Sequence, residues 1–220
     1  IFSIDNIKVD IVITWVNKSD SKWKKLWQSQ FGELDFDEDR FTDNEELRFC
    51  LRSIEKYLPW FRKIFIASNC SKPKWLIENT TLSWVDHSEF IDKSNLPTFN
   101  SHSIECNIHR IKGLAERFIY FNDDFILNQP VHKSDFFDTL GRPIVKLEEY
   151  GVVNPSHAKF TNKDFLYAAN NSRNILRENH NIRMTRLHKH IPYAHLKENI
   201  ISFCEEYKTS IKATSKARLR

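Results

Sequence analysis

The chain has 220 residues, 40% hydrophobic and 28% charged, with a net charge of +4 and an aromatic share of 13%. That is an ordinary globular composition with length enough for a core; charges of both signs are interspersed, which excludes a nucleic-acid-binding stripe. Only 4 glycines are present and neither GxGxxG nor a Walker-type loop occurs, so a glycine-rich phosphate cradle is excluded.

No run approaches the roughly 18 apolar residues of a membrane span. The modest positive balance suits an anionic substrate or loose contact with lipid headgroups. Cys50, Cys70, Cys106 and Cys204 are far apart and form no CxxC, which argues against a disulfide framework and for a reducing compartment. The first residue is Ile1, as in an excerpt of a longer protein.

Lys8 to Val16 (KVDIVITWV) is β-branched and reads as a strand; Asn17 to Asp20 is turn chemistry, and Ser21 to Phe31 reads as a helix. Strand, polar turn and helix in that order open nucleotide-binding α/β units, although Asn17 and Asp20 could equally form the turn and cap the helix. Asp35 to Arg40 is an acidic loop. Thr42 and Glu45 have the spacing of a capping box for a helix from Asp43 to Leu58, and Pro59 stops it. Arg48 and Arg52 fall on another face of that helix and read as a solvated basic face. A second strand follows at Lys63 to Ala67, a short helix at Lys74 to Glu78, and a third strand at Leu82 to Val85, with Asp86 and His87 at its end.

Asn100 to Leu127 organises the chain. Ile104, Ile108 and Ile111 recur at helical spacing, with His102, Glu105 and His109 on the other face, and Gly113 can close the helix. Arg117 to Phe121 (RFIYF) is a short apolar strand, and Asn122, Asp123 and Asp124 follow where it stops. In open α/β sheets, ligands bind beyond the carboxyl ends of strands. Two carboxylates there point to a cation, a cation-bridged phosphate or a proton acceptor.

Beyond Pro130 the pattern loosens. Ser134 to Leu140 reads as a short helix, Pro143 to Tyr150 as an edge strand and Asp164 to His180 as a helix. Pro192 is placed to open a helix from about Tyr193 to Tyr207, with His190 just before its amino end. Thr209 to Arg220 is basic and, as a bare tail, reads as disordered or surface-bound. Alternating strands and helices predict an α/β fold, a mostly parallel sheet flanked by helices. Residues 1–130 are expected to form its core and residues 131–220 a mainly helical part completing a single domain.

Several stretches resemble the Stealth family, which includes bacterial capsular-polysaccharide phosphotransferases and the α/β precursor of the animal lysosomal N-acetylglucosamine-1-phosphotransferase. VDIVITWVNKSD (Val9 to Asp20) is similar to the family's opening block, with Lys18 where glycine is usual. The segment Arg40 to Leu127, with RFTDNEELRFCLRSIEKYLPWFRKIFIASN, KPKWL and LPTFNSHSIECNIHRIKGLAERFIYFNDDF, resembles the second block. HIP at His190 to Pro192 resembles the HxP of the third block, and KARLR resembles the start of a fourth that breaks off at Arg220.

The resemblance implies a nucleotide-sugar-binding core of GT-A or Rossmann-like type. It also implies transfer of a hexosamine 1-phosphate from a UDP-sugar to a hydroxyl of an acceptor glycan, with release of UMP. It implies Glu105, Asp124, His190 and Arg220 as catalytic residues, with Asp123 and Asp124 as ligands of Mg²⁺ or Mn²⁺. Asp10, Trp15, Asn17, Asp20 and Asn122 would lie near the donor. His190 or Asp124 would serve as base, and Arg220 would grip the diphosphate. The bacterial branch implies the cytoplasm, with peripheral contact at the inner membrane; the animal branch implies the Golgi lumen. The competing readings are a metal-dependent glycosyltransferase releasing UDP and a non-catalytic carbohydrate-binding module.

Overall fold

The computed structural model describes residues 3–32, 41–152 and 164–219. They form two compact units, one of residues 1–144 with 192–220 and one of residues 145–191. In the first unit, β1 (Val9–Thr14), β2 (Ile64–Ser68), β3 (Leu82–Asp86), β4 (Arg117–Asn122) and β7 (Tyr193–Leu196) form a sheet in the order β3-β2-β1-β4-β7. The pairs within β3-β2-β1-β4 are parallel, and β7 runs antiparallel along β4. The chain is therefore an α/β protein with a mostly parallel sheet, consistent with a GT-A-like core.

The sheet is covered on both faces, which is why its central strands read as unbroken apolar runs. On one face α1 (Ser21–Phe31) and α2 (Glu46–Tyr57) press Trp23, Trp27, Leu47 and Ile54 against Ile11, Ile13, Ile66 and Ile119. Trp23 and Trp27 stack at 5.2 Å between centroids, and Phe99 meets both edge-on at 5.4 and 4.9 Å. The opposite face buries Val12, Phe65, Phe118 and Tyr120 under Ile104, Ile108 and Ile111. Those three isoleucines were expected to share one continuous helix, but they do not. α3 spans only Ser101–Glu105, and a 3-10 turn follows at Ile108–Arg110. The Asn107 side chain donates to the Ser103 carbonyl (2.8 Å), while its backbone N–H bonds Ile104 at 3.0 Å. A side chain competing for the i−4 carbonyl tightens the helix and ends it. Gly113 then takes the left-handed conformation at φ 81°.

Other local expectations also give way. The Thr42–Glu45 capping box does not form: Glu45 sits at the α2 amino end in the left-handed region (φ 69°) without a side-chain cap. Asn44 Nδ2 instead donates to the Glu46 carboxylate at 2.9 Å. Lys74 to Glu78 is a turn, with the Glu78 carboxylate accepting from the Trp84 backbone (2.8 Å) and from Lys72 (2.6 Å). Ser134 to Leu140 is not a helix: it holds the end of a 3-10 turn at Lys133–Asp135 and a bridge from Phe137 to Pro143.

The carboxyl-terminal residues differ most from expectation. Tyr193–Leu196 is strand β7 rather than helix. It satisfies the open edge of β4, which would otherwise present unpaired backbone groups. Tyr193 stacks on Tyr120 with centroids 6.3 Å apart, a cross-strand pair that rewards this register. α5 (Lys197–Glu206) and α6 (Lys208–Lys216) follow. The described part of the basic tail is thus ordered: Ser103 Oγ bonds the Ser215 carbonyl at 3.0 Å, and Arg218 donates to the carbonyls of Pro97 (2.9 Å) and Ser94 (2.8 Å). In the second unit, β5 (Leu147–Val152) pairs antiparallel with β6 (Arg186–His188) as a separate two-stranded sheet, and α4 spans Asp164–His180. The expected edge strand therefore belongs to this small sheet. Among the described residues, no helix is long and apolar enough to cross a membrane.

Candidate functional site

From β1 the chain winds to β2 and β3 on one side, and β4 lies on the other. The strand order therefore reverses between β1 and β4, and the crevice beyond their carboxyl ends is where such sheets bind ligands. Thr14 and Asn122 are register partners at those ends, so Trp15 to Asn17 and Asp123-Asp124 leave the sheet side by side. Thr14 Oγ1 and the Tyr120 hydroxyl are bonded at 2.8 Å. Asp43, in the segment before α2, accepts from Trp15 Nε1 (3.2 Å) and Asn17 Nδ2 (3.4 Å), drawing a third carboxylate to the edge.

The crevice has a firm backing. The Asn122 carbonyl accepts from the Phe125 N–H at 3.2 Å, turning the chain immediately after β4, and from the Cys50 thiol at 3.9 Å. Ser53 Oγ donates to the Cys50 carbonyl (2.8 Å) and accepts from Leu127 N–H (3.0 Å), tying α2 to the turn. Asn17 N–H points at the Cys70 thiol, 3.3 Å away. Burial pushes the Cys70 thiol up to about 12 and Cys50 further still, so these sulfurs are structural rather than nucleophilic.

The electrostatics single out Asp123. Burial, and then the neighbouring charges of Asp124, Asp43 and Glu46, push its carboxyl up to about 7. Asp43 is also raised, chiefly by burial, against the opposing hydrogen bond from Trp15. Glu46 is lowered: burial opposes ionisation there but is outweighed by hydrogen bonds from Asn44. Burial also raises the Tyr120 hydroxyl well above its ordinary value, with Glu105 and Asp123 adding to the effect. Glu105 and Asp123 are thus both within electrostatic reach of that hydroxyl. A partly buried carboxyl with carboxylate neighbours lacks a counter-charge, and this donor set fits a divalent cation. Among the described residues, no three His, Cys, Asp or Glu side chains converge as a ready-made cage. A cation here would hold Asp123 and Asp124 and draw its remaining oxygens from water or a phosphate, the usual habit of Mg²⁺.

The other candidates are distributed as follows. Trp15, Asn17, Asn122, Asp123 and Asp124 meet at the crevice, and Glu105 approaches it through Tyr120. Asp20 stands next to it as the cap of α1, its Oδ1 accepting from Trp23 N–H (2.9 Å) and Ser71 N–H (3.1 Å). Asp10 does not join them. It lies near the amino end of β1 with no exposed surface, its carboxylate held by Arg62 Nε (2.8 Å) and Ala115 N–H (2.7 Å). His190 belongs to the second unit, two residues beyond β6, and is exposed. Arg220 lies outside the described residues. Sequence reasoning missed Asp43, Glu46, Thr14 and Tyr120. The polar run from Thr42 to Glu46 was a signal, but capping-box spacing accounted for it too readily; nothing local marks Tyr120.

Residues 40–145 match the family model described as Stealth protein CR2, conserved region 2. That span contains Asp43, Glu46, Glu105, Tyr120 and the Asn122-Asp123-Asp124 run. The chain is similar to the capsular polysaccharide phosphotransferase SacB of Neisseria meningitidis serogroup A, 40% identical over 193 residues, 85% of this chain and 35% of that protein. It is similar also to the capsular polysaccharide phosphotransferase fcs1 of Haemophilus influenzae, 40% identical over 197 residues, 84% of this chain and 54% of that protein. A third relative is the capsular polysaccharide phosphotransferase LcbA of Aeromonas hydrophila, 42% identical over 141 residues, 60% of this chain and 39% of that protein. The chain spans 35% to 54% of the length of these relatives.

Proposed function

Because the chain belongs to the Stealth family, we propose that it is the catalytic core of a sugar-1-phosphate transferase of capsular or cell-surface polysaccharide synthesis. It moves a hexosamine 1-phosphate from a UDP-sugar to a hydroxyl of a glycan acceptor and releases UMP. The observation that carries this reading is Asp123 beside Asp124 at the β1–β4 crevice, a carboxyl pushed up to about 7 by burial and then by its carboxylate neighbours. A pyrophosphate bound with a divalent cation would supply the positive charge that the Asp123 and Asp124 carboxylates call for.

Phosphoryl transfer asks the protein for in-line positioning and charge neutralisation more than for covalent chemistry. Asp123 and Asp124 would hold Mg²⁺ or Mn²⁺, which would supply charge neutralisation for the pyrophosphate. Trp15, Asn17 and Asn122 border the donor. Glu105, behind Tyr120, orients a sugar hydroxyl or a water. His190 takes the proton of the acceptor hydroxyl, since imidazole titrates near working pH, while a carboxylate beside a cation is the better ligand. Arg220 supplies a bidentate grip on the phosphates. Attack falls on phosphorus: the acceptor oxygen forms the new P–O bond, the bond to the UMP oxygen breaks, and the anomeric bond survives. We place the enzyme in the cytoplasm at the inner face of the membrane, a reducing setting that suits its widely spaced free cysteines.

The test is product analysis with a panel of UDP-hexosamines and a capsular oligosaccharide acceptor. UMP and a new phosphodiester phosphorus resonance are expected, with turnover reduced by about a hundredfold or more in Asp124→Asn. UDP as the released nucleotide would instead establish a metal-dependent glycosyltransferase on the same donor. No nucleotide release, with glycan binding intact in Asp124→Asn, would leave only a binding module.

A further inference from the structure

The carboxyl edge of the sheet holds a second concavity, on the β2–β3 side of the crevice. It is a cleft of about 330 Å³ between α1, the ends of β2 and β3 and the Lys93–Pro97 loop. Leu26, Leu96 and Pro97 supply apolar walls, and Asn69, His87 and Lys22 supply polar groups. A few polar groups on a mostly apolar concavity of this size are the usual make-up of a small-molecule site. Asn69 is buried, with Nδ2 donating to the Thr98 carbonyl at 3.3 Å. Lys22, on the first turn of α1, is held at the rim by Asp86.

His87 is the unexplained group. Its side chain is 4% exposed, and neither Nδ1 nor Nε2 has a hydrogen-bond partner. Its ring meets Phe90 edge-on, with centroids 5.8 Å apart. A buried polar group left unsatisfied is costly and calls for a reason. Burial, the largest influence, holds the imidazole down at about 4, so it is neutral at working pH and offers one N–H donor and one nitrogen acceptor. The two nitrogens point away from each other across the ring, so one of them can pair with an N–H or a C=O on the edge of a pyrimidine-dione.

The cleft is also linked to the carboxylates. Asn69 lines it, the next residue, Cys70, receives the Asn17 N–H, and Asn17 donates to Asp43. The amino end of α1, an 11-residue helix capped by Asp20, lies along this path, and Lys22 could exchange Asp86 for a phosphate there.

We propose that this cleft is the base subsite of the donor nucleotide: a uracil-type ring lies between Leu26 and the Leu96–Pro97 wall, with His87 and Asn69 reading its edge. The diphosphate passes the amino end of α1 toward Asp123 and Asp124. A small rotation of the His87 ring on entry gives one of its nitrogens a partner on the base. The assignment rests on the transferase reading above and adds the specificity element for the base.

The experiment uses the full-length protein and two variants. Leu96→Trp fills the cleft, and His87→Phe keeps a ring there while removing both nitrogens. Calorimetric titration with UMP, and separately with Mg²⁺–pyrophosphate, is expected to show the UMP Kd raised by about tenfold in Leu96→Trp and about fivefold in His87→Phe. Mg²⁺–pyrophosphate affinity stays within about twofold of the parent, and CMP binds more weakly than UMP to the parent alone. UMP affinity unchanged in both variants overturns the subsite; should Leu96→Trp fail to fold, unchanged affinity in His87→Phe does so by itself. Unchanged UMP affinity together with continued UMP release from a UDP-sugar leaves the transferase reading standing without the subsite. Parent protein that binds UMP through the cleft yet releases none from any UDP-sugar has the reverse meaning.

Discussion

Replacing Asp123 with Asn removes the group whose ionisation the fold resists most visibly at the crevice. Its carboxyl is held at about 7 instead of the ordinary 3.8, first by burial and then by Asp124, Asp43 and Glu46. At ~1.4 kcal/mol per tenfold, ionising it at pH 8 costs the folded state about 4 kcal/mol at full value. Asp123 keeps some contact with water, and solvent screening brings the expected figure to about 2 kcal/mol. Because the folded value is raised, the folded protein retains a proton that the unfolded chain has released, and stability declines as pH rises from about 4 to about 7. Asn has no proton to lose. In urea unfolding with EDTA present, Asp123→Asn should therefore be more stable than the parent by about 2 kcal/mol at pH 8, and by less than half of that at pH 5. Mg²⁺ with pyrophosphate should flatten the parent's pH slope and leave the variant unaffected. A variant that is less stable than the parent at pH 8, or that keeps the parent's slope, would refute the claim that burial and neighbouring charges strain this carboxyl.

Two further perturbations probe the scaffold. Arg62→Met leaves Asp10, which has no exposed surface, with the Ala115 N–H as its remaining partner among the bonds described above, and should cost about 3 kcal/mol in urea unfolding. The same variant should leave the KM for a UDP-sugar unchanged; a raised KM without lost stability would return Asp10 to the substrate. Trp27→Ala opens the cluster that Trp27 forms with Trp23, Phe41 and Phe99 and should cost about 3–5 kcal/mol, read as a lowered thermal midpoint. A loss below about 1 kcal/mol would mean that these rings do not anchor α1 to the sheet.

The local code was clear where one periodicity met no competitor. β1, β2 and β4 are β-branched or aromatic runs bounded by polar turns, and α1 follows a residue, Asp20, that caps it as its chemistry suggests. The failures lie where a side chain or a distant strand had the deciding interaction. Asn107 takes the Ser103 carbonyl and cuts the central helix short. Tyr193 to Leu196 has a proline before it and helix formers after it, yet pairs with β4 because that edge needs a partner. The tail of α6 becomes ordered through carbonyls of the Ser94–Pro97 loop, more than a hundred residues away in the chain.

For the site, the sequence by itself determined that two carboxylates follow an apolar strand, because hydrophobic runs and their polar termini are read locally and need no partner. Only the tertiary structure decided which groups face them. The strand order set Thr14 beside Asn122, brought Asp43 across to Trp15 and Asn17, and sent Asp10 to the far end of the same strand as Trp15. The physical reason is that charge–charge repulsion and burial depend on distances through space. Asp123 acquires its raised affinity for a proton from residues scattered between Asp43 and Asp124, and only folding brings them within range.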